Sequence, residues 1–195
     1  MFRQPVTRLI LLLMVLLLLL PGCRRQQPAP KPAPQMEEEP VISLYINETG
    51  QKKDMKIEEY LQGVVAAEMD TKWPVNALAA QAILARTFTM ENIQEGRVRQ
   101  LRGTDASTSV EEFQAYEPAK INDNVRKAVE MTRGKVLTHN NNYVQAWFSA
   151  CCGGITASAE EGLGYTKGPT PYLKEGTQDG CLSITEPQNR AWEAR

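Results

Sequence analysis

No basic block and no stripe of interleaved basic and aromatic residues occurs anywhere in this chain of 195 residues. Nucleic acid is therefore a poor partner, because binding a phosphate backbone leaves a clustered lysine and arginine footprint. No internal repeat is present. No apolar run is long enough to cross a bilayer: residues 9–20 form an unbroken stretch of twelve, where a spanning helix needs about 20. No C-x-x-C pair occurs among the four cysteines, so a zinc site built from the single histidine, His139, with Cys151, Cys152 and Cys181 lacks supporting spacing. A cysteine nucleophile using His139 as its base lacks a third group to orient the imidazole. With 22 basic residues against 23 acidic ones, charge identifies no partner.

What is present begins with an address. Arg3 and Arg8 precede the apolar stretch, and Leu20-Pro21-Gly22-Cys23 follows it, the pattern of an export signal over residues 1–22. The four residues resemble a bacterial lipobox, in which Cys23 becomes the lipidated first residue of the mature protein; an uncleaved signal anchor is the alternative. Both readings export the rest of the chain and tie it to a membrane. Residues 24–40 hold five prolines and no aromatic residue, too little apolar surface to order, and read as an extended tether. Cys151, Cys152 and Cys181 then remain in an oxidising compartment, and a disulfide from Cys181 to one of the adjacent pair is the expected arrangement.

Residues 41–195 suffice for one domain with a core. The pattern predicts a strand at 41–46 with a turn at 47–50, helices at 56–69, 75–92 and 119–132, and strands at 135–138 and 143–148 joined by a turn at 139–142. Residues 96–112 are polar and aperiodic, and the glycines and prolines from Gly162 to Pro171 read as an irregular loop. The fold class is α+β, helices in the middle and strands at the flanks. The abrupt finish, Trp192-Glu193-Ala194-Arg195, leads us to expect that the domain continues past it.

Within the first helix, Glu68 shares a face with Leu61, Val64 and Val65, whereas Glu58 and Glu59 are expected on the solvent side. A carboxyl group in an apolar setting keeps its proton more readily and can act as a general acid. Asp70 points elsewhere, so a two-carboxylate glycosidase built locally is disfavoured. Arg86 and Gln81 lie on the next helix; by spacing alone they read as a surface or ion-paired arginine and a solvated glutamine. Tyr116 and Trp73 are candidates to line a cleft, and Trp147 and Tyr143 read as core.

The run GVVAAEM, then Trp73-Pro74, then ALAAQAILARTF resembles the signature of the SpoIID/LytB family, stage II sporulation protein D and its relatives. Further pieces follow in the same order: Phe113-Gln114-Ala115-Tyr116, Ala128-Val129 through Thr132 and Gly134 to Leu137, Ser149 through Thr156, and Pro171-Tyr172-Leu173. Enzymatic members of that family are lytic transglycosylases acting on peptidoglycan. The resemblance implies Glu68 as the catalytic acid and Arg86, Gln81, Gln114, Tyr116 and Ser149 as substrate contacts, with no cofactor. It implies glycan strands as partner, with other cell-wall hydrolases as further partners; a LytB-like enhancer of an amidase is the rival reading. Ala79 stands where the family often has lysine, and residues 105–113 hold none of the cysteine and histidine through which some members bind zinc.

Overall fold

The computed structural model describes residues 38–149, 153–178 and 180. The expected signal at 1–22, Cys23, most of the tether, and Cys151, Cys152 and Cys181 lie outside the described residues.

Strand β1 (Val41–Ile46) buries Ile42 and Leu44 and pairs antiparallel with β2 (Gln51–Lys56), Val41 facing Lys56 and Ile46 facing Gln51. Gly50, at φ 70°, donates to Ile46 O to close the hairpin, a left-handed position that suits glycine. The sequence reading missed β2. Its residues, QKKDMK, bury only Met55, since it is the edge of a three-stranded sheet ordered β2-β1-β3. The third strand, β3 (Ala106–Ser107), runs parallel to β1 and falls in the segment read as aperiodic.

Helix α1 (Ile57–Glu68) leaves β2 without a break, with Glu58 and Glu59 in its first turn where acidic groups complement the helix dipole. Ile57, Tyr60, Leu61, Val64 and Val65 are fully enclosed, so α1 is the central helix. Helix α2 (Val75–Glu95) starts at Pro74, whose carbonyl accepts from Ala77, and ends at Gly96 in the left-handed region, the usual stop for a helix. A short α3 (Arg97–Arg102) follows, burying only Val98; six residues with one buried side chain leave no periodic trace. Helix α4 (Asp123–Met131) begins later than expected because Asn122 caps it, accepting from the Val125 N–H at 3.0 Å. Val125 and Val129 are buried, but Met131 is exposed.

The C-terminal strands are shorter than predicted: β4 (Thr138–His139) and β5 (Asn142–Tyr143), turned by Asn140 and Asn141 at φ 50° and 64°. Across residues 143–148 the buried side chains are Val144 and Ala146, while Tyr143 and Trp147 are only half-buried. The expected core pair is thus out of phase by one residue, which in extended backbone moves each side chain to the opposite face. The irregular loop expected from Gly162 runs from Gly164 onward; its first two residues instead close a short helix, α5 (Ala159–Leu163), with a capping box between Ser158 and Glu161 and a stop at Gly164.

Candidate active site

Glu68 is the last residue of α1 and is half-buried. Its Oε1 accepts the backbone N–H of Ala115 at 2.9 Å. The segment carrying that N–H is docked on both central helices. Phe113 sets its ring edge-on to Phe88 of α2, with centroids 5.4 Å apart, and Tyr116 stacks on Tyr60 of α1 at 5.6 Å and 11°. Gln114 Nε2 donates to Thr89 Oγ1 at 2.9 Å, and that hydroxyl donates to Ala85 O at 2.8 Å. The Glu117 N–H reaches Gly63 O at 3.0 Å.

Gly63 is what lets Tyr116 come so close. A Cβ there would collide with Tyr116 Cε2 and stand 2.6 Å from Cδ2 and 3.0 Å from Cζ. Gly63→Ala is expected to destabilise the fold by about 1–3 kcal/mol, the usual range for overpacking a filled site. Urea unfolding checks this; an unchanged midpoint would mean that the ring moves aside freely.

The Tyr60 phenol is enclosed, and burial drives its pKa well above the usual tyrosine value, opposed by Gln114 and reinforced by Tyr116 and Glu68. Burial also raises the Tyr116 phenol. Neither the Tyr60 hydroxyl nor Gln114 Oε1 has an aligned hydrogen bond among the described residues, although Gln114 is the amide acting on that phenol. Tyr60, Gln114, Tyr116 and Glu68 thus lie along the side of α1 that residues 113–117 cover, Tyr60 near its start and Glu68 at its end. Asp70 is exposed and caps its own turn, accepting from the Lys72 N–H at 2.9 Å.

Four other sequence expectations are redirected. Arg86, expected as a substrate contact, has no exposed surface; its Nε and Nη2 donate to Glu58 at 3.0 and 2.5 Å, and Nη1 to Ala82 O and Lys135 O. Glu58, expected on the solvent side, is 3% exposed and also accepts the Gly134 N–H. Its turn of α1 is covered by the loop after α4, a tertiary contact that helical spacing cannot show. Gln114 is 3% exposed and committed to Thr89, and Gln81 is likewise buried, with no partner for its Nε2 among the described residues. Ala79 lies in the core.

Ser149 belongs to a different place. With Trp147, Phe148, Thr156, Leu163 and Lys174 it lines a cleft of about 420 Å³, and Glu68 is absent from that lining. Trp73 is half-exposed in the turn between α1 and α2, whose Thr71 carbonyl accepts from Asn122 and Asn124. Among the described residues no three histidine, cysteine, aspartate or glutamate side chains are grouped to hold a metal.

A buried carboxyl that the sequence did not reveal is Glu91 on α2, held by Gln145 at 2.5 Å and Asn92 at 3.0 Å. Burial first, and Glu95 with it, raise its pKa above the usual carboxyl value. A folded pKa above the unfolded one means that the folded state holds the proton more tightly. Stability therefore falls as pH rises through this window, from the ordinary carboxyl range upward. Glu91→Gln cannot titrate, so its stability relative to wild type should climb over that window. A relative stability flat in pH, read from urea midpoints, would count against it.

These features define a small α+β domain with a single oriented carboxyl at the end of its central helix. The model of the SpoIID family, described as stage II sporulation protein, matches residues 45–139, and the chain belongs to that family. It is 36% identical over 138 residues to an uncharacterized protein of Brachyspira hyodysenteriae, covering 71% of this chain and 36% of that protein. The amidase enhancer of Bacillus subtilis is 34% identical over 130 residues, 64% of this chain and 16% of that protein. Stage II sporulation protein D of the same organism is 32% identical over 165 residues, 76% and 46%. The chain spans less than half the length of each of these relatives.

Proposed function

We propose that this chain acts on the bacterial cell wall as a lytic transglycosylase, cleaving the bond between N-acetylmuramic acid and N-acetylglucosamine. The observation that carries the reading is Glu68: one half-buried carboxyl, oriented by a backbone N–H and without a second carboxylate on its helix face. One such group suffices if the substrate supplies its own nucleophile. Glu68 gives its proton to the glycosidic oxygen, and the leaving N-acetylglucosamine departs with its 4-hydroxyl. The carboxylate then takes the proton of the muramic 6-hydroxyl as that oxygen bonds to C1, leaving a 1,6-anhydro sugar and a reprotonated Glu68. Tyr116 and Trp73 are the aromatic surfaces available to stack on sugar rings. In this reading an export signal and lipidated Cys23 hold the domain outside the cell membrane on its proline-rich tether.

A second reading rests on the likeness to the amidase enhancer: the chain would raise the activity of a separate wall hydrolase without cutting glycan itself. The full chain, incubated with purified glycan strands alone and together with a cell-wall amidase, separates the two by mass spectrometry. Anhydro-muramic ends support the transglycosylase; their absence, with a faster amidase, supports the enhancer and sinks the enzyme.

A further inference from the structure

The two oxygens of the Glu68 carboxyl are not equivalent. Oε1 is taken by the Ala115 N–H, and among the described residues no protein donor reaches Oε2. We infer that the Ala115 N–H is the positioning group of the acid, fixing Oε1 and leaving Oε2 to carry the proton to the glycosidic oxygen and to take the next one back. The inference rests on the reading of Glu68 as that acid.

A backbone N–H cannot be aimed by a rotamer; the chain on either side must aim it. Here both sides are held. Ahead of Ala115, Phe113 lies against Phe88 and Gln114 is bonded to Thr89, both on α2. Behind it, Tyr116 lies flat on Tyr60 and against the bare Cα of Gly63, and Glu117 bonds the Gly63 carbonyl, both on α1. Anchors to two helices thus flank one peptide group whose N–H points at one carboxylate oxygen. Packing alone accounts for the rings, but it does not require that donor to face Glu68. Bonds from N–H groups to ionised oxygens are stronger than neutral ones, and holding a long, rotatable side chain in its reactive geometry lowers the barrier rather than the binding energy. The consequence is an effect on turnover and not on affinity.

The test replaces the Gln114–Ala115 amide with an ester, installed by incorporating the hydroxy acid analogue of alanine in the full chain. Only the N–H is lost. With glycan strands as substrate, kcat should fall by about 10- to 100-fold, as expected for removing a hydrogen bond to a charged group, with KM and melting temperature unchanged. If the ester chain does not fold, Thr89→Val, which releases the Gln114 anchor just ahead of that N–H, should lower kcat in the same direction with KM unchanged. Wild-type kcat in the ester chain, or a loss lying wholly in KM, overturns the positioning role while leaving Glu68 as the acid. A wild-type chain that makes no anhydro product overturns both.

Discussion

Glu68→Gln should abolish formation of anhydro-muramic ends, with turnover down by about 10²- to 10⁴-fold, the usual worth of a general acid and base. The substitution is close to isosteric. Its amide oxygen can still accept the Ala115 N–H that Oε1 accepts now, so the fold and the position of the side chain survive and only the transferable proton is lost. Substrate affinity should hold, and the loss should lie in kcat. Glu68→Asp keeps an acid but retracts it by one methylene from both Ala115 and the substrate, and should fall between the two. Counting anhydro ends by mass spectrometry under identical loading decides the matter. A Glu68→Gln chain as active as wild type would remove the residue from the mechanism whatever the activity of the protein.

The second large effect concerns stability. Arg86→Ala leaves Glu58 charged, enclosed and deprived of both guanidinium donors, and should cost about 3–5 kcal/mol, as breaking buried ion pairs does. Glu58→Ala should cost a similar amount for the mirror-image reason, and it also strips the Gly134 N–H of its acceptor. Arg86→Lys should rescue little, since a single ammonium cannot bond both carboxylate oxygens while reaching Ala82 O and Lys135 O. Replacing both partners with leucine should recover much of the loss, because the desolvation of two charges disappears along with their attraction. Urea denaturation of the four variants reads these differences directly. If Arg86→Ala instead kept full stability and raised KM, the arginine would be a substrate contact after all, as the family resemblance alone suggested.

That contrast marks where the sequence could be read and where it could not. Elements with a one-sided apolar pattern were legible, β1 from Ile42 and Leu44 and α1 from Ile57, Leu61, Val64 and Val65; α2 was legible from Pro74 at its start and its run of good helix formers, although it reaches Glu95 rather than residue 92. Elements without such a pattern were not. The edge strand β2 shows solvent nearly all its residues, and β3 is too short for any period. In the site, Glu68 could be singled out because its own helix places it on the apolar face. Glu58 could not, because the backbone that meets it, the Gly134 N–H, and the arginine that pairs with it, Arg86, lie far along the chain. The Ala115 N–H has no signature in residue type at all; only the neighbouring Gln114 and Tyr116 pointed to that segment. Motif membership also blurs roles, since Arg86 and Gln114 belong to it as much as Glu68 does, yet their side chains hold the interior together.

The parallel meeting of β1 and β3 carries a consequence for the order of assembly. Asp105 clasps Ser43 through both backbone and side-chain bonds across 62 positions of sequence, whereas the β1–β2 hairpin and the contact of α1 with α2 need only short excursions. Long closures come late in folding, because chain entropy is lost before the distant contact repays it. The stretch that delivers Ala115 to Glu68 lies just past that clasp. On this ordering the helix that carries Glu68 forms before the Ala115 N–H reaches it, so the proposed acid stays unaimed until the β1–β3 closure has been made.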